Sequence, residues 1–123
     1  MSETEEGLMA KVIGPKRRWR AYKARVRQLP DGHRTAVDAI ERYLMLLTPK
    51  DQDSAESQFE DLAELFEQAA ADGTPIRDIV GDDPVAFVET FAANYTDGGY
   101  VPARERERLV KAVDRAEGEA GAV

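Results

Sequence analysis

Three sets of residues in this chain have the types that chemistry uses. Glu60, Glu64 and Glu67 recur at steps of four and three, the spacing of one helix face and of carboxylates that share a cation. They fall away from the apolar stripe of Phe59, Leu62 and Phe66, so a solvated face is the expected reading. Asp78, Asp82 and Asp83 offer oxygens to a hard cation, but calcium takes about six to eight, and the alternate spacing of a calcium loop is missing. Helix capping accounts for these aspartates without a metal. His33 is the one histidine and lies at the start of a helix. No Ser, Cys or Asp constellation surrounds it, so it reads as a solvated residue and not as a general base. Ser2, Ser54 and Ser57 sit in no nucleophile motif, and the glycines form neither GxxxxGK nor GxGxxG. No catalytic, cofactor-binding or metal-binding residue is expected, and the chain reads as a non-enzyme.

The strongest remaining signal is charge. The net charge is −7, yet residues 11–27 carry eight bases and no acid, while residues 51–72 carry eight acids and no base. Arg17, Arg18, Arg20, Lys23, Arg25 and Arg27 form the candidate docking surface. Arginine predominates, and its planar fork suits carboxylate or phosphate. Trp19 and Tyr22 are of the types that anchor partners, although their spacing with Val26 and Leu29 says core more simply. Bases at the start of a helix oppose its dipole, whereas acids at the start of the third helix suit theirs. If the two helices are neighbours, each face compensates the other. A surface left for docking is the competing reading.

The elements that position these residues are helices. Apolar residues step by three and four almost everywhere, and no alternating strand pattern occurs. Helices are expected around Trp19–Leu29, from Gly32 to Thr48, from Ser54 to Ala71, from Pro84, and from Pro102 to Ala116. A one-turn helix follows Thr74 and Pro75. In the second helix Arg34, Asp38 and Arg42 stand at i,i+4 spacing for ion pairs. Gly73 fits a left-handed cap, and Asp83 fits an N-cap. The fold class is all-α, a compact antiparallel bundle of four to five helices plus the one-turn helix. The expected organisation is a flexible acidic N-terminus over 1–13 and a bundle core over 14–96. A linker and C-terminal helix follow over 97–116, with a disordered tail over 117–123.

The runs "KRRWRAYKARVRQLPDGHRTAVDAIERYL" and "LAELFEQAAADGTPIRDIVGDDPVAFVETF" together resemble the bacterial proteins grouped as domain of unknown function 1048. Trp19, Tyr22, Leu29 and Pro30, with Ala71, Asp72, Gly73, Pro75, Gly81, Asp82 and Phe87, carry the likeness from Gly14 to Tyr95. The segment after Tyr95 departs from the pattern and reads as an extension. The resemblance implies a small helical bundle whose genes often neighbour those of PadR-type transcription regulators. Some members carry a DNA-binding, ferritin-like label. A ferritin-like di-iron site needs Glu-x-x-His motifs, and here Pro30 stands three residues before His33. The resemblance carries over no catalytic residue.

Neither a signal peptide nor a stretch of roughly 20 apolar residues is evident, and cysteine is absent, so a cytoplasmic location is expected. The expected function is a non-enzymatic interaction module with a protein partner, accessory to a transcription regulator, and with a homodimer in reach. The alternative is nucleic-acid binding through the Arg-rich first helix, disfavoured by net charge and by the lack of a recognition helix. Anionic membrane is a third target for that helix, ranked last because its apolar stripe is narrow.

Overall fold

The computed structural model describes residues 16–121, and the acidic segment expected over 1–13 lies outside them. Six helices follow one another among the described residues: α1 over residues 16–27, α2 Asp31–Leu44, α3 Gln52–Asp72, α4 Ile76–Val80, α5 Pro84–Ala92 and α6 Ala103–Gly121. The class is all-α, with no strand among the described residues. One antiparallel bridge, Pro49 to Thr96, ties the α2–α3 loop to the segment after α5.

The helix ends follow local chemistry. Asp51 caps α3 by accepting a hydrogen bond from the Ser54 amide at 2.7 Å, and Asp83 caps α5 from the Ala86 amide at 3.1 Å. Gly73 ends α3 in the left-handed conformation (φ 71°), which a side chain would strain. The N-cap of α4 is Pro75 and not Thr74, so the helix starts one residue later than expected.

The core forms where the apolar stripes meet. Tyr22, Val26 and Leu29 of the first segment join Val37, Ile40 and Leu44 of α2, Leu62 and Phe66 of α3, Val88 of α5, and Leu109 and Val113 of α6. Trp19 and Phe59 pack on this core with their ring centroids 5.5 Å apart. The narrow apolar stripe of α1 is therefore occupied internally, as its spacing implied. No helix of the described residues is long and apolar enough to cross a membrane.

Two helix pairs set the architecture. Arg18 bonds Glu60 and Arg25 bonds Glu67, each across 42 positions. That constant offset means α1 and α3 run parallel in heptad register, with α2 antiparallel to both. On the other side of α2, Gly32 lies against Ala116 and Ala120, Thr35 bonds Glu119, and Arg42 bonds Glu105. Rising numbers on α2 meet falling numbers on α6, so that pair is antiparallel. A Cβ at Gly32 would stand 2.6 Å from the Ala116 carbonyl oxygen, which is backbone and cannot swing aside. Only glycine lets the two helices approach so closely there.

These contacts correct the expected organisation. The core does not stop at residue 96, because Leu109, Val113 and Ala116 of α6 belong to it. Residues 117–121 are helical and not a disordered tail. Glu117 binds Arg77 of α4, and Glu119 accepts from the Thr35 hydroxyl at 2.6 Å. Tertiary partners thus hold a Gly-containing last turn that composition alone would fray. The i,i+4 pairs expected along α2 are also replaced. Arg34 turns back to Asp31 at 2.8 Å, and Arg42 reaches across to α6.

Candidate docking surface

Half of the predicted basic surface is satisfied within the molecule. The Arg18 guanidinium holds Glu60 by two bonds of 3.0 and 2.6 Å and also meets Glu56 at 2.5 Å and Asp53 at 3.2 Å. Arg25 holds Glu67 through Nε and Nη2 at 3.1 and 2.6 Å. Lys23 Nζ lies 3.1 Å from a Glu41 carboxylate oxygen and 5.5 Å from the Trp19 ring centroid. Hydrogen bonds from Arg18 and Arg25 hold the Glu60 and Glu67 carboxyls below the usual carboxylate range. Because α1 and α3 run parallel, the bases at the positive end of one dipole meet the acids at the positive end of the other.

Arg17, Arg20 and Arg27 point outward, exposed and without an ion pair among the described residues. The structure therefore splits the six predicted residues into two groups, an inner row that fixes α1 on α3 and its neighbour α2, and an outer row in solvent. Of the glutamates read as a solvated face, Glu60 and Glu67 are ion-paired and only Glu64 is exposed. His33 differs from its expected solvated state. Its ring meets Phe66 edge-on, with centroids 6.2 Å apart, and both ring nitrogens are buried without a hydrogen-bond partner among the described residues.

A second cationic surface emerges from tertiary structure. Arg104, Arg108, Lys111 and Arg115 recur along α6 at steps of four, three and four, so they share one face. All four are exposed, and they rim an open groove of about 900 Å³ between α6 and α2. Arg104, Arg108 and Lys111 make no ion pair among the described residues; Arg115 has only a loose intrahelical contact, 3.8 Å from Glu119. Thr35, Ala39, Leu109 and Ala112 give the groove small and apolar lining.

The groove also carries acids. Glu105 takes two bonds from Arg42, at 3.1 and 3.2 Å, which fix one cation of the α2 wall. That contact holds the Glu105 carboxyl below its ordinary range, and the fields of Arg108 and Arg104 add to it. Asp38 and Glu107 complete the lining, so five bases face three acids on a chain whose net charge is negative. The surface is complementary to an anion and selective against a dense, uniform one.

Sequence reasoning missed this stripe for a specific reason. Residues 103–120 hold five bases and five acids, so a window over them is neutral. Only helical periodicity separates the signs, bringing 104, 108, 111 and 115 together.

Beyond the lining, three large apolar residues are exposed where the chain leaves α2 and where it approaches α6: Met45 and Leu46 just after α2, and Tyr100 just before α6, the last at 83%. The loop bearing Tyr100 is held by backbone bonds from Thr48 N to Gly98 O and from Asp97 N to Thr48 O, both 2.8 Å. A Cβ on Gly99 (φ 151°) would come 3.2 Å from the Leu46 carbonyl oxygen, so the loop lies directly on the end of α2. The residues just before Tyr100 are thus tied to the end of α2.

Residues 10–114 match the model of a family described as protein of unknown function (DUF1048), and the chain belongs to that family. The match runs past Tyr95 through most of α6, so that segment is part of the family's pattern and not an extension to it. No curated protein and no solved structure matches the chain.

Proposed function

We propose that this member of the DUF1048 family is a non-enzymatic interaction module that docks a protein partner in the groove between α2 and α6. The observation that carries this reading is the asymmetry of ion pairing. Arg18, Lys23 and Arg25 hold the protein's own carboxylates, while Arg104, Arg108 and Lys111 line an open groove with no such partner among the described residues. Exposed cations along one face of a helix, with an exposed tyrosine just before that helix begins, have the composition of a protein-docking surface, where Arg and Tyr are enriched. The transcription regulator that the family likeness brings to mind is the partner class we favour, with a cytoplasmic setting.

The test is crosslinking in the native host followed by co-purification with three forms of the full chain. These are the wild type, a groove form (Arg104→Glu, Arg108→Glu, Lys111→Glu) and an α1 form (Arg17→Glu, Arg20→Glu, Arg27→Glu). The reading expects one partner to be lost from the groove form and retained by the α1 form. Loss from the α1 form alone moves the docking surface to the outer row of the first helix. If nucleic acid is what is lost, the alternative of direct binding through that row takes its place.

A further inference from the structure

Resting on the proposed docking groove, we infer that its occupant is an acidic amphipathic helix of the partner protein, its apolar end seated on Met45, Leu46 and Tyr100. Three features of the groove lead there. The cations repeat at four, three and four along about 16 Å of α6, the period at which carboxylates recur on one face of a facing helix. The small seam residues Thr35, Ala39 and Ala112 leave room for a third helix to lie against α2 and α6. Met45, Leu46 and Tyr100, exposed where the end of α2 meets the start of α6, supply the anchor that a charged stripe lacks, and so fix direction.

The same features disfavour a nucleic-acid occupant. Asp38, Glu105 and Glu107 project into the groove, and a continuous phosphate backbone would meet them as well as the arginines. A helix can place carboxylates opposite the bases and leave its other positions apolar or basic. Interspersed acids then set register, because a slip of a few residues brings like charges together.

The experiment uses the full chain, isotopically labelled, and three probes. The first is a synthetic helical peptide of about 18 residues with glutamates at i, i+4, i+7 and i+11, an alanine seam and two leucines at one end. The second replaces its glutamates with lysine, and the third is a short DNA duplex. Amide chemical shifts locate binding, and fluorescence anisotropy at low salt and about 0.3 M salt measures it. The acidic peptide is expected to shift groove amides on both α2 and α6. The groove form should weaken its binding roughly tenfold or more, and Tyr100→Ala severalfold. Arg17→Glu with Arg20→Glu should leave it unchanged. Circular dichroism confirms that each variant folds, and since every substituted side chain is exposed, a loss of binding reports on the surface. Shifts confined to other faces, no shifts at all, or tighter binding of the duplex or the lysine peptide each overturn the inference. A native partner that depends on the groove while the acidic peptide is ignored overturns this inference alone. A native partner indifferent to the groove overturns the docking reading as well.

Discussion

The inner row of bases on α1 and the row of bases on α6 are treated in opposite ways by the molecule. On α1 Arg18 and Arg25 of the inner row lie against α3 at a fixed offset and Lys23 against α2, and each cation has a carboxylate within 3.2 Å. On α6 the row faces a groove, and three of its four members have no ion pair among the described residues. The helix that looks most like a docking element uses half of its predicted basic surface to hold the bundle together, and the helix whose charges cancel in sequence presents a cationic groove. Charge density along a chain reports how much charge there is to satisfy. It does not report whether the fold has already satisfied it.

The seam that creates the groove is the place to break this contrast most sharply. Gly32→Val puts a branched side chain against the Ala116 carbonyl and Ala120, and is expected to lower stability by about 3 kcal/mol in urea denaturation. A loss below about 1 kcal/mol would mean that α2 and α6 do not approach as described.

Alkali probes the tyrosine contacts on either side of α5 next. Burial, then the Glu89 carboxylate, pushes the Tyr43 phenol up to about 12, and hydrogen bonding to Asp61 lifts Tyr95 to about 12. Both lie above the unfolded value near 10, so their contribution is complete below pH 10 and lost as pH rises toward 12. The expected loss, discounted for partial exposure, is on the order of 2 kcal/mol. Tyrosinate absorbance rising together with loss of helix checks it; two phenols titrating in a fully helical protein near pH 10 would contradict it.

Charge reversal separates the two rows directly. Arg18→Glu with Arg25→Glu should cost about 1.5 kcal/mol, through lost pairs and new repulsion from Glu60 and Glu67. Arg104→Glu with Arg108→Glu should stay within about 0.5 kcal/mol, because no pair is lost. Equal effects on the two midpoints would erase the distinction.

Acid gives the smallest effect, on the α1 side. Glu60 and Glu67 have folded values held below the unfolded one near 4.3, so their contribution is present above that pH and fades below about pH 4. With side chains 33% and 38% exposed, the two together should contribute no more than about 1 kcal/mol. Arg18→Gln with Arg25→Gln should flatten the stability profile between pH 3 and 5. An unchanged slope would show that other carboxylates set it.

Much of the fold is legible from residue order. The stripes of α1, α2 and α3 lie in the core, Gly73 takes its left-handed cap, and Asp83 caps α5, because these depend on neighbours within a turn or two. The reading weakens where a distant segment decides. His33 looks solvated until Phe66 of α3 packs on it. "EGEAG" looks like a tail until Arg77 and Thr35 hold its glutamates. The α6 stripe is visible only to someone who winds an alternating run of bases and acids into a helix.

Helical periodicity, capping and the need to bury apolar stripes were thus settled by the sequence itself, since each acts over a few residues of chain. Which charges would be answered and which left open was settled only by tertiary structure. Coulomb attraction is felt across a few ångströms of space, and the carboxylates that answer Arg18 and Arg25 lie 42 residues away in the chain.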